Sequence, residues 1–116
     1  MFVARISGGA TGKIRGRIVH AGIDRDYGSA TDPVILVIPH GGVEYYTTVV
    51  SSARLCGRVG VVMASGGATC HLAINVNEKA GSVALMLLPD ALSKLPDGAM
   101  ATLDPLTCSI ELEREE

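Results

Sequence analysis

The sequence has 116 residues, the size of one domain that can bury a core without disulfides or a metal. Its 10 basic and 12 acidic residues are scattered and give a net charge of -2, which excludes a basic patch for nucleic acid or an anionic membrane. No apolar run reaches the roughly 20 residues of a membrane-spanning helix, and no signal-peptide pattern is present. We therefore expect a single cytoplasmic domain, residues 1–116, with reduced cysteines.

The first half of the chain is predicted to form two strands and a helix. Lys13 to Val19 alternates polar and apolar residues after a glycine-rich turn, which is the period of a half-exposed strand. Val34 to Ile38 is a continuous apolar run, typical of a strand buried on both faces, and Pro39 ends it. A helix is predicted over Val43 to Cys56, with Gly57 as its stop. The apolar stripe of this helix consists of Val43, Tyr46, Val50 and Ala53.

The second half is predicted to add further strands and helical segments. Val59 to Ala64 is predicted as a buried strand, and Cys70 to Ala80 as a helix with Thr69 as N-cap and Gly81 as stop. The remaining predicted elements are a strand at Ser82 to Leu88, a helical turn at Asp90 to Leu95, a tight turn at Pro96 to Gly98 and two strands around Asp104. Alternating strands and helices predict an α/β layered domain.

The pentapeptide SGGAT occurs twice, beginning at Ser7 and at Ser65. The first copy is followed by Gly12 and Lys13, as in a phosphate-binding loop. Ser7 stands where that loop needs glycine, however, and Ile14 stands where it needs a hydroxyl. We interpret the first copy as a glycine-rich turn that enters a strand.

The second copy is followed by a histidine near the start of a predicted helix. Gly66 and Gly67 permit a sharp turn and close approach of a ligand, and free N–H groups at a helix start favour an anion. His71 can act as a nucleophile when it is neutral, and Thr69 can cap the helix or orient the imidazole. A purely structural histidine at a helix start is the alternative.

The nine residues from Gly66 to Ile74, GGATCHLAI, resemble a known signature. It is that of the phosphohistidine swivelling domain of phosphoenolpyruvate-utilising enzymes, such as pyruvate phosphate dikinase and phosphoenolpyruvate synthase. The resemblance extends along nearly the whole chain, through Gly8 to Val19, Val34 to Ile38, Val59 to Ala64 and Leu95 to Asp104. It implies a three-layer β/β/α swivelling domain.

The resemblance implies a phosphoryl-carrier function. His71 would be phosphorylated, Thr69 would orient it, and Gly66, Gly67 and Cys70 would bind the phosphoryl group. The chain would be a phosphotransferase component that is not competent alone, and this domain alone would bind no cofactor. Its partners would be nucleotide-binding and phosphoenolpyruvate- or pyruvate-binding domains or chains, with Mg²⁺ and ATP or phosphoenolpyruvate on those partners.

Departures from the signature keep two alternatives open. The family continues with Ala-Arg, where this chain has Val76 and Asn77, and asparagine cannot replace arginine as a bidentate cation. One alternative is a non-catalytic swivelling module that binds or regulates a partner. The other is a swivelling subunit of a different enzyme, such as a dehydratase. Only the carrier requires the imidazole of His71, since the other two tolerate glutamine there.

The remaining histidines and cysteines give weaker indications. His40 follows a buried strand and could line a pocket at a strand end, or it could be a surface loop residue. His20 closes a strand and indicates no function. No Cys or His pair has metal-ligand spacing, so we expect no metal site.

Overall fold

The computed structural model describes residues 2–3, 6–9, 13–22, 27–29, 31, 33–40, 45–57, 59–65, 83–104, 107 and 109–113. These residues form eight strands and two helices. In chain order the elements are β1 (Phe2–Val3), β2 (Ile6–Gly9), β3 (Ile14–His20), β4 (Val34–Ile38), α1 (Tyr46–Cys56), β5 (Val59–Met63), β6 (Val83–Leu87), α2 (Ala91–Lys94), β7 (Met100–Asp104) and β8 (Ser109–Leu112). The chain is thus a mixed α/β structure, as the sequence predicts.

All eight strands belong to one sheet in the order β1-β8-β7-β3-β4-β5-β6-β2. Its centre is parallel, because β3, β4, β5 and β6 pair in one direction. Antiparallel strands flank this centre, with β7, β8 and β1 on one side and β2 on the other. Parallel strands that are buried on both faces are continuous apolar runs. β4, β5 and β6 have that composition and are buried throughout.

The sheet curls until its two outermost strands lie close together. β1 and β2 are at opposite edges of the strand order, yet only two residues separate Val3 from Ile6. Three Cα steps of about 3.8 Å keep those two residues within about 11 Å. A flat sheet of eight strands has seven spacings of roughly 4.8 Å, which would hold its edges about 34 Å apart. The curl therefore encloses one face of the sheet.

The enclosed face forms what we call the inner core. Leu103 of β7 reaches Gly60 of β5, and its Cδ1 lies 3.1 Å from the position that a Cβ on Gly60 would take. Two strands, β3 and β4, separate β7 from β5, so this contact spans the curl. α2 closes this core from one end through Ala91. The inner core consists of Ile14, Ile18, Ile35, Val37, Val62, Ala84, Met86, Leu88, Ala91, Leu95, Ala101, Leu103 and Ile110.

The opposite face forms the outer core, which α1 covers. Gly57 ends α1 with a φ of 84°, and its N–H donates to the carbonyl of Ala53 at 2.8 Å. This is the helix stop predicted for Gly57. The outer core consists of Val19, Ala21, Val34, Leu36, Ile38, Tyr45, Val49, Ala53, Val59, Val61, Met63, Val83, Leu85 and Leu87.

The predicted stripe of α1 is confirmed at Ala53 and wrong at Tyr46 and Val50, and Val43 lies outside the described residues. Its buried residues are Thr48, Val49, Ser52 and Ala53, whereas Tyr46 and Val50 are only half-buried. The reason is that Thr48 and Ser52 bury hydroxyls that have hydrogen-bond partners, and a pattern of apolar residues omits them.

The prediction for the first SGGAT copy is also wrong in part. Ser7, Gly8 and Gly9 belong to strand β2 and pair with β6, with Gly8 opposite Leu85. Glycine is poor in strands, but ladder pairing with β6 overrides that preference here. The predicted helix at Cys70 to Ala80 lies outside the described residues.

Candidate functional site

Four parallel strands end at one edge of the sheet, which we call the carboxyl edge. β3 ends there at His20, β4 at Ile38, β5 at Met63 and β6 at Leu87. Ligands of open α/β sheets bind outside such strand ends, where neighbouring connections leave toward opposite faces of the sheet. The carboxyl edge is therefore the first place to search for a site.

The chain leaves β4 and β6 toward opposite faces of the sheet. After β4 it enters α1, whose Val49 belongs to the outer core. After β6 it enters α2, whose Ala91 belongs to the inner core. β5 lies between these two strands, so the change of face falls between β4 and β6.

Two hydrogen bonds join the end of β5 to the end of β4. The N–H of Ala64 donates to the carbonyl of Ile38 at 2.9 Å, which extends the ladder by one residue. The hydroxyl of Ser65 then donates to the carbonyl of Pro39 at 2.8 Å. Ser65 is exposed, so its hydroxyl lies at the surface of the carboxyl edge. The first residue of the second SGGAT copy is thereby placed beside Pro39.

His40 is held against the start of α1. Its ring packs edge-on against that of Tyr45, with ring centroids 5.3 Å apart and planes at 79°. Edge-on packing is a favoured geometry for aromatic rings. Tyr45 is buried in the outer core, while His40 is only half-buried. The imidazole thus has a fixed support on one side and reaches the surface on the other.

His20 has a different environment at the end of β3. Its Nε2 lies 2.6 Å from the carbonyl oxygen of Leu95, to which a protonated ring nitrogen donates. Its backbone N–H donates to Oδ1 of Asp97 at 2.9 Å. Both contacts fasten the segment after α2 across the end of the inner core. His20 is itself exposed, and the sequence assigned it no function.

Hydroxyl groups attach the segment after β3 to α1. The Tyr27 hydroxyl accepts the N–H of Gly22 at 2.8 Å, and the Ser52 hydroxyl accepts the N–H of Tyr27 at 3.1 Å. Thr48 donates through its hydroxyl to the carbonyl of Gly22 at 3.3 Å. These bonds fix α1, and with it Tyr45, relative to the carboxyl edge.

The ion pairs of the described residues lie away from this edge, around the start of β3. Arg15 binds Glu113 through two hydrogen bonds of 2.5 and 2.8 Å, and Lys13 lies 4.0 Å from Asp104. The hydrogen bond from Arg15 holds the pKa of Glu113 below its ordinary value, and the same bond raises the pKa of Arg15. Both side chains are partly exposed, so solvent weakens the pair.

The residues to which the sequence assigned chemistry follow Ser65 directly. Gly66, Gly67, Thr69, Cys70 and His71 lie outside the described residues, so their roles stay predictions. Within the described part of the chain, no three His, Cys, Asp or Glu side chains form a group that could hold a metal ion. None of the described helices is long and apolar enough to cross a membrane.

Sequence reasoning gave no role to Ser65 or Tyr45. Ser65 was the first residue after a predicted buried strand, and that position is the signal that could have identified it. No comparable signal existed for Tyr45, because its contact with His40 depends on where α1 begins. His40 was predicted either to line a pocket or to be a surface loop residue, and the structure places it two residues after β4 with its ring against Tyr45.

Comparison with known proteins supports the fold. No family model and no curated protein matches the chain. Among solved structures it is similar to a chain of holo-form aconitase X from Thermococcus kodakaraensis, with a TM-score of 0.59 and 16% sequence identity. The match covers 93% of this chain and 98% of that chain, so it spans nearly all of both. At this identity the similarity defines a shared fold.

This finding overturns the resemblance to the phosphohistidine swivelling domain. The solved structure described above is an aconitase X, and no family model supports a transferase, a kinase or a phosphohistidine protein. The nine-residue signature was misleading because two glycines, a capping threonine and a polar residue suit many strand-to-helix turns. The family's Ala-Arg pair is replaced here by Val76 and Asn77, and this departure indicated more reliably that the chain lies outside the family. The expected Mg²⁺, ATP and phosphoenolpyruvate on partner domains rested on that resemblance and stay untested.

Proposed function

We propose that this chain is the small, swivelling-type subunit of a dehydratase, whose active site it completes together with a larger partner chain. The observation that carries this proposal is the similarity to aconitase X over nearly the full length of both chains. A dehydratase subunit was one of the alternatives that the sequence left open.

The architecture supports a three-layer β/β/α arrangement for this subunit. α1 covers the outer face of the parallel strands, and β7 lies across their inner face, where Leu103 meets Gly60. Such a domain is a rigid support that can present one edge to a partner. The carboxyl edge is where the Ser65 hydroxyl binds the carbonyl of Pro39 and where the ring of His40 packs on Tyr45. We also propose a cytosolic location.

We propose that the segment from Gly66 to His71 contributes to the same site. It continues the chain from Ser65, whose hydroxyl is already at the surface of the carboxyl edge. Two glycines after Ser65 leave room for a substrate to approach the backbone. In this role Thr69, Cys70 and His71 would contact a hydroxy acid or the partner chain, and no phosphoryl group would be involved.

The proposal is tested by reconstitution with the partner. The tagged chain is purified from its own source, and the larger chain that remains bound is identified and co-expressed with it. We expect the two-chain complex to dehydrate a hydroxy-carboxylic acid, seen as near-ultraviolet absorbance of the conjugated carboxylate that forms. Each chain alone should be inactive. A complex that forms but dehydrates none of a panel of hydroxy acids would contradict the proposal and favour the non-catalytic module.

Two variants locate the site within that complex. Ser65→Ala should lower turnover by about tenfold or more, since it removes a positioned hydroxyl whose loss costs about 1–2 kcal/mol. Ser93→Ala is the matched control, because Ser93 is an exposed serine on α2, away from the end of β5. Equal turnover for both variants would place the active site elsewhere on the chain.

A further inference from the structure

We draw no further inference here: the strongest candidate, the groove along β7 and β8 that Thr102, Glu111, Leu112 and Glu113 line, is an open and largely polar sheet surface, and nothing in the described part of the chain shows what covers it.

Discussion

The inner core and the outer core are both apolar, yet different structural elements cover them. Curled strands enclose the inner core, and their ladder hydrogen bonds fix the backbone around it. The outer core has strands on one side and α1 on the other. Thr48 and Ser52, the buried polar residues of the described chain, lie on α1. The comparison teaches that the inner core is held by backbone closure and the outer core by a docked helix.

The largest effects are expected for leucine truncations in the two cores. Leu103→Ala and Leu36→Ala each remove a fully buried side chain, the first from the inner core and the second from the outer core. Truncations of this kind cost about 2–5 kcal/mol, depending on how far the surroundings relax. We expect Leu103→Ala to cost more, because strands on the curl move less than α1. Free energies of unfolding from urea titration measure both costs. A larger cost for Leu36→Ala would contradict the view that the inner core relaxes less than the outer core.

A second prediction concerns the close approach of the β3 backbone to the backbone before β4. A Cβ on Gly16 would lie 2.9 Å from the carbonyl oxygen of Pro33, which is backbone and cannot rotate away. We expect Gly16→Ala to cost about 1–3 kcal/mol through strain. Gly60→Ala is the control, because its new Cβ would meet side-chain atoms of Leu103 and Ile35, which can adjust. The same urea titration should show a lower free energy of unfolding for Gly16→Ala than for Gly60→Ala. The reverse order would show that the backbone at Pro33 can shift to accommodate the new Cβ.

A third prediction concerns the docking of α1 on the outer core. Ser52→Ala removes the acceptor for the N–H of Tyr27 and should cost about 1–2 kcal/mol. Ser51→Ala, one position away on the half-buried side of α1, is the control and should cost less. Hydrogen exchange at Tyr27 should also accelerate in Ser52→Ala alone. Unchanged exchange there would mean that α1 docks without this hydroxyl.

The smallest effect is expected at the pair of Arg15 and Glu113, which neither core contains. The pKa of Glu113 is lowered from 4.5 when the chain folds, so its carboxylate stabilises the fold at neutral pH. This stabilisation is present above the ordinary pKa and is lost as pH falls through the lowered value. Glu113→Gln should therefore be slightly less stable than the wild type at pH 7 and equal to it in strong acid. Thermal melts of both proteins across this pH range, at low and high salt, measure the effect. A stability difference between the wild type and Glu113→Gln that grew in acid would contradict the assignment.

The sequence predicted much of this fold because its signals are local. Continuous apolar runs marked β4, β5 and β6, and Gly57 marked the end of α1. The curl could not be predicted, since it depends on β1 and β2 pairing with strands distant in the chain. The buried stripe of α1 failed for a related reason, because Ser52 is buried through a partner, Tyr27, that only folding brings near.

The candidate site was predictable only in outline. The strand end followed by glycines after Ser65 drew attention to this region, and the sequence also placed His40 directly after a strand. Which strand ends meet is a matter of sheet order, and it is set by pairing between β4 and β5. The nine-residue signature suggested a family. A motif this short reflects the residues that a local turn requires, and it does not by itself establish common descent.

The N-terminal strands have a consequence for how this protein folds. Phe2 pairs with Ile110, so the first strand of the chain finds its partner in the last strand described. Contacts between residues this far apart in sequence slow folding, because a long loop has to close before they contribute. During synthesis β1 emerges first and has no β8 to pair with until the ribosome has made Ser109–Leu112. Closure of the curl is therefore a late step, completed only after the parallel centre of the sheet has been made.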